Sequence, residues 1–324
     1  MASVAPKAQR DRLLKLLARG PRRPSDLSRR DRLRAFGRTL YELLGDDLTD
    51  RAAALTYYAV LAVFPGLLVL VAGVGLLGPP ATRSVVEGIG TMTFGPTQQI
   101  IANGVADLQD NPREAGVIAI VGLVIAFWSA TGYVGAFMRA ANAIFEVPEA
   151  RPLWKTLPVR LFITVVTGLV LALSAFAIVF TGRLAVQIGH AVGIDADRVR
   201  LIDIVKWPVL VVVFALLLAV LYWAAPNARH GGFRWITPGS LLATLVWLLV
   251  SGGFAFYVSR FDSFDRNYGT LGGVIVFLVW IWLTNVAVLL GAEFDAELAR
   301  ARAIAAGLPD DETPYLPLRD VPKG

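Results

Sequence analysis

Apolar residues fall in six long runs separated by short polar stretches. An α-helix needs roughly 20 residues to cross a hydrocarbon core of about 30 Å, and the runs at 52–82, 115–138, 161–182, 207–223, 235–259 and 267–292 approach or exceed that length. The pattern therefore predicts six transmembrane helices. The last run organises the others. It is entered through Gly269, Gly272 and Gly273, which predict close helix contact, and left through Glu293, Asp295 and Glu297, which hold acid at the membrane boundary. The first run carries Pro65-Gly66, predicting a kink near its middle. The second holds Ser129, Gly132 and Ala136 at near-helical spacing and continues into Arg139, Asn142 and Glu146 on one face. The fourth opens at Trp207-Pro208, where a proline suits a first helical turn.

Outside the runs, Leu33, Phe36, Leu40 and Leu43 recur at helical spacing, with Arg32, Arg34 and Arg38 on the complementary side. This predicts an N-terminal amphipathic helix lying in the headgroup layer, its arginines on anionic lipid. Residues 84–115, less apolar, read as a short interfacial helix rather than a crossing.

Composition agrees with this pattern. Of 324 residues, 56% are hydrophobic and 17% charged, against about 25% charged in soluble domains. The expected fold is all-α, a polytopic membrane protein with one domain over 32–300. A mobile basic tail at 1–31 and a disordered Pro-rich cytoplasmic tail at 301–324 flank it. The N-terminal tail, the loops at 139–160 and 229–234 and the C-terminal tail hold most of the 31 Lys and Arg, so the positive-inside rule places both termini in the cytoplasm.

The chemistry that is missing narrows the function. There are no cysteines and two histidines, His190 and His230, which excludes disulfides, thiolate chemistry and His-rich metal clusters. His230, in a short basic loop, reads as a solvated charge partner. No H-E-x-x-H, Gly-x-Ser-x-Gly, P-loop or dinucleotide fingerprint occurs. The expectation is a non-enzymatic chain with no cofactor and no metal. Its basic tail meets the anionic headgroups of membrane lipids and no nucleic acid. Homo-oligomer formation stays open.

The polar residues within or bordering the apolar runs form a candidate seam: Asp50, Tyr57, Tyr58, Asn142, Glu146, Asn285 and Glu293, with Pro65, Gly269 and Gly272 setting helix geometry. Polar groups at such depth usually face a bundle interior. Each has a plainer reading as well. Asp50 can cap its helix, Asn285 can make one interhelical bond, and Asn142 with Glu146 can lock an interfacial turn or meet a headgroup. Glu293 and Glu297, one turn apart, can bind a cation, receive an arginine such as Arg139, or face water.

Several of these residues lie in motifs. Asp50-x-Ala-Ala-Ala-Leu-Thr-Tyr57-Tyr58 with Phe64-Pro65, Trp128-Ser-Ala, Arg139-x-x-Asn142-x-x-Phe145, Ala225-Pro226-Asn227, Tyr268-Gly-Thr-Leu-Gly272 and Gly291-Ala-Glu293 follow one another over about residues 35–300. In this order they resemble the YihY/BrkB family of bacterial inner-membrane proteins, with Phe145 where Tyr is usual and Asp295 where Asn is usual. The resemblance implies six spans and a cytoplasmic-membrane location. Family members have been called ribonuclease BN, serum-resistance virulence factors, and transporters or flippases of lipid intermediates. The ribonuclease label conflicts with the missing metal ligands. The expected function is transport or flipping of an amphipathic, anionic, lipid-like substrate, with a scaffold role as the rival.

Overall fold

The computed structural model describes residues 6–75, 112–180, 196–232, 235, 237–260 and 270–322. Among the described residues the secondary structure is helical, with one isolated antiparallel bridge between Ala228 and Leu318. The helices are α1 Pro6–Arg19, α2 Arg29–Leu44, α3 Asp46–Gly75, α4 Pro112–Ile144, α5 Leu153–Phe180, α6 Ala196–Ala224, α7 Thr237–Arg260 and α8 Thr270–Ala305. Among the described residues five segments, within α4 to α8, are long and apolar enough to cross a membrane. In the most apolar windows of α5 and α7 only 11% of residues are buried, leaving a continuous apolar exterior that suits acyl chains and not water. The first expected span is helical from Asp46 to Gly75 and runs through Pro65 without a break. Its remaining residues, the expected interfacial helix before Pro112, and Gly269 lie outside the described residues.

The chain divides into two compact units. One comprises Met1–Tyr58, Tyr133–Ile163 and Phe214–Gly324, the other Ala59–Gly132 and Thr164–Val213. In the second unit Trp128 is 81% exposed. The first contains α7 and α8, the most extensively packed helix pair, and every polar cluster described below.

Helix ends in the first unit follow local chemistry. The Ser28 hydroxyl caps α2, accepting the Asp31 amide at 3.1 Å. Two helices end in the same hydrogen-bond pattern. Leu308 N–H bonds Ala303 C=O and Gly307 N–H bonds Ile304 C=O after α8; Val147 bonds Asn142 and Glu146 bonds Ala143 after α4. The residue that must turn left-handed is Gly307 (φ 101°) in one and Glu146 (φ 51°) in the other, an uncommon choice for a side chain.

Four sequence expectations require correction. The N-terminal tail is not mobile from residue 6 onward: α1 buries Leu13 and Leu17 against Phe145, Leu308, Tyr315 and Leu316. The C-terminal tail is not disordered, since that same cluster holds it and burial of the Tyr315 hydroxyl raises its pKa. Both segments were too polar to mark as core, but each supplies a few apolar residues that complete the other. Third, Pro208 lies inside α6, which begins at Ala196, rather than opening a helix. Fourth, α2 turns Ala35 and Thr39 inward against α8, while Leu33 stays 71% exposed. Arg38, placed on the lipid-binding face by sequence, instead pairs with Asp310 at 3.1 Å and Glu297 at 3.7 Å, and the Asp310 hydrogen bond raises its pKa.

Candidate functional site

Helix α8 carries four buried polar residues of the first unit, Asn285, Glu293, Asp295 and Glu297. Asn285 is 2% exposed. Its Oδ1 accepts the Tyr133 hydroxyl at 2.9 Å, its Nδ2 donates to Thr56 Oγ1 at 3.1 Å, and Thr56 in turn donates to the Ala52 carbonyl at 2.8 Å. This directional chain ties α3, α4 and α8 together, and each link satisfies a group that would otherwise be costly to bury. Nothing local in the sequence marks Tyr133 or Thr56 as the partners of Asn285.

One to three turns further on, α8 presents Gly291, Glu293, Asp295 and Glu297. Gly291 and Gly239 are the glycines at which α8 and α7 approach closely. A methyl at Gly239 would meet the Gly291 carbonyl and the Asp295 carboxylate, and one at Gly291 would meet the Gly239 carbonyl and Ala243. Gly273, expected in that role, has open space where a methyl would go; Gly272 is buried. The Tyr222 hydroxyl donates to the Val288 carbonyl at 2.6 Å, fastening α6 to the same stretch.

Glu293 and Glu297 line a cavity of about 540 Å³, together with Glu42, Glu146, Arg38 and Arg300 among others. Arg300 contacts Glu146 directly and lies 3.5 Å from Glu297. Of the two acids, Glu297 is thus reached by Arg38 and Arg300, while Arg139 is exposed. Glu293, 8% exposed, accepts no hydrogen bond and joins no ion pair among the described residues.

A second cluster lies where the loops after α4 and α6 meet the C-terminal segment. Asn227, 0% exposed, donates from its backbone to Asn142 Oδ1 at 2.7 Å and from Nδ2 to the carbonyls of Pro148 at 3.0 Å and Asp320 at 2.9 Å. Asn142 also donates to Glu149 at 2.9 Å, and Glu149 receives Arg151 at 2.6 Å. Burial pushes the Glu149 carboxyl up, but its bonds from Arg151 and Asn142 leave it below its ordinary value. Asn142 is therefore part of a loop lock and does not line the cavity. Beside it, Lys155, Trp223, Arg229, His230, Arg319 and Asp320 border a groove of about 500 Å³ that stays basic although Asp320 pairs with Lys155. His230 is not solvated as expected. It packs edge-on against Phe145 at 4.8 Å, and burial plus the Arg319 charge lower its pKa to about 3.

The structure thus brings Asn285 into a buried hydrogen-bond chain and Glu146 and Glu293 to one cavity. It does not bring Asp50, which is exposed, or Tyr57, which is 63% exposed and stacked edge-on against Tyr58. Among the described residues no group of three or more His, Asp or Glu is placed to hold a metal ion.

Comparison with known proteins covers most of this architecture. The family model described as virulence factor BrkB matches residues 39–313. The chain belongs to the BrkB family. Similar relatives include the ribonuclease-like protein YfkH of Bacillus subtilis, 26% identical over 82% of this chain and 94% of that protein. A UPF0761 membrane protein of Chromohalobacter salexigens is 30% identical over 87% of this chain and 68% of its own length. One from Xanthomonas campestris is 28% identical over 84% and 63%, so the chain spans under two thirds of that relative. No solved structure matches. The BrkB match includes the residues of the α8 chain and every cavity residue except Arg38, while α1 and most of α2 lie outside it. This is a multi-pass membrane protein of the BrkB family.

Proposed function

We propose that the protein is a non-enzymatic transporter or flippase of an amphipathic, anionic, lipid-like substrate in the bacterial cytoplasmic membrane, with both termini inside. The observation that carries this reading is the buried hydrogen-bond chain of Asn285 with Tyr133 and Thr56, which joins α8, α4 and α3 inside the apolar bundle. Polar groups inside an apolar bundle are costly and mark substrate or ion paths by default. The groove of Lys155, Arg229 and Arg319 beside Trp223 supports an anionic headgroup, because arginine and lysine suit phosphate and an interfacial Trp suits the glycerol region. The exposed Leu33 and Leu40 of α2 support contact of that helix with the headgroup layer. The ribonuclease wording attached to one relative is set aside, since two histidines and no cysteines supply few ligands for a zinc nuclease.

Purified protein in vesicles containing a fluorescent anionic lipid provides the test. Movement of that lipid between leaflets, reduced by Asn285→Ala and by Arg229→Ala in protein of normal abundance, is the expected result; movement equal to that in empty vesicles refutes it. A scaffold role is the second reading. It is favoured by the Asn285 chain itself, in which each member already has a partner. A stable protein partner recovered from membranes, with no lipid movement, would support it.

A further inference from the structure

The cavity beside Glu293 and the groove beside Arg319 have opposite electrostatic character. Seven carboxylates and three guanidinium groups line the first. All three arginines are engaged: Arg38 with Glu297 and Asp310, Arg300 with Glu146 and Glu297, and Arg51 with Asp47 at 3.9 Å. Glu42, Glu293 and Asp311 are left in no ion pair among the described residues. Of these, Glu293 is 8% exposed and faces the cavity. Its carboxylate faces the cavity with no hydrogen bond and no ion pair among the described residues, so it is an acceptor not already engaged by the protein.

The geometry points to this cavity as a binding site for an organic cation bearing primary ammonium groups, one of them held by Glu293. Size and spacing favour that class over a bare metal ion. About 540 Å³ falls within the range of small-molecule sites, roughly 300–1,000 Å³, and far exceeds one hydrated ion's needs. The carboxylates come from α2, α3, the turn after α4, α8 and the segment after α8, and among the described residues no three of them converge closely enough to hold a metal. Separated carboxylates suit a ligand whose charges are also separated, such as a linear diamine. An ammonium group offers three donors and no acceptor, which matches a lining of acceptor-only carboxylates. The same lining repels the anionic substrate class proposed above, so this site is distinct from any headgroup groove and its occupancy does not rest on transport.

The test is isothermal titration of the purified full chain in detergent with 1,4-diaminobutane, with neutral 1,4-butanediol and with sodium chloride at matched ionic strength. Saturable, near-stoichiometric diamine binding is expected, with none for the diol or for sodium. Glu293→Gln keeps the shape and removes the charge, and should weaken the diamine at least about tenfold. Glu42→Gln, at an exposed position, should weaken it about threefold and keeps the test informative if the buried variant fails to fold. Asp11→Asn, an exposed change away from the cavity, should bind like the unaltered chain. Absence of saturable binding, sodium binding in place of the diamine, or equal affinity in Glu293→Gln and Glu42→Gln would each overturn the assignment. Lipid movement is not read in this experiment, so a failure here leaves the transport reading standing and the reverse also holds.

Discussion

The Asp295 carboxylate accepts the Gly239 amide at 2.7 Å across the α7–α8 contact, while its other oxygen is buried with no partner among the described residues. Gly239 is the third residue of α7, so its N–H has no intrahelical acceptor, and Asp295 caps one helix from the side of another. Asp295→Ala should therefore cost about 1–3 kcal/mol, because the amide is left buried and unpaired. Asp295→Asn keeps an acceptor oxygen in place and should lose less. Thermal unfolding in detergent, followed for both variants, distinguishes them; equal losses would mean that the bond to Gly239 is not what matters.

The contact itself depends on the absence of side chains at Gly239 and Gly291. A methyl at either place collides with backbone or with Ala243, and overpacking of this kind costs typically about 1–3 kcal/mol. Gly273→Ala meets nothing and should be neutral or stabilising by up to about 1 kcal/mol, since alanine is the better helix former. Melting temperatures of the three variants should fall for the first two and not for the third.

Asn227 joins three chain segments by side-chain bonds to Pro148 and Asp320 and a backbone bond to Asn142. Asn227→Ala removes the side-chain half of this set and should release the C-terminal segment first, because Lys155 alone then holds Asp320 from the α5 side. Limited proteolysis should cut within residues 309–322 faster in the variant. Unchanged cleavage would show that the Tyr315 and Leu316 packing, with the bonds from Arg229 to Pro317 and from Arg319 to Ala228, holds the segment without the Asn227 side chain.

His230 titrates near pH 3 in the folded chain against an ordinary value of 6.5. Its folded pKa is depressed, so its contribution is fully present above pH 6.5 and is lost progressively as pH falls from there toward 3. The cause is burial, with the Arg319 charge adding to it; a hydrogen bond to the Tyr222 backbone opposes both. His230→Gln should flatten the decline of melting temperature between pH 6.5 and 4 relative to the unaltered chain. Parallel curves would remove His230 as a source of acid sensitivity.

The apolar runs were enough to establish an all-helical membrane chain. Period and length are local properties, and 26 uncharged residues from Asn267 to Ala292 have few other stable states in a cell. The same pattern singled out Asn285 and Glu293, since a polar residue stands out against an apolar background. What it could not show was which partner each would meet. Tyr133 and Thr56 are unremarkable in their own helices, and Asn285 finds them only because α3, α4 and α8 come together. The two ends of the chain went astray for a related reason. Leu13 and Leu17 at one end and Tyr315 and Leu316 at the other are too few to form a core alone, and they become one only when residues some 300 positions apart meet. Hydrophobic periodicity records how a helix meets its solvent, whereas the hydrogen bonds, close glycine contacts and charge pairs of the site depend on distances between segments, which tertiary structure alone fixes.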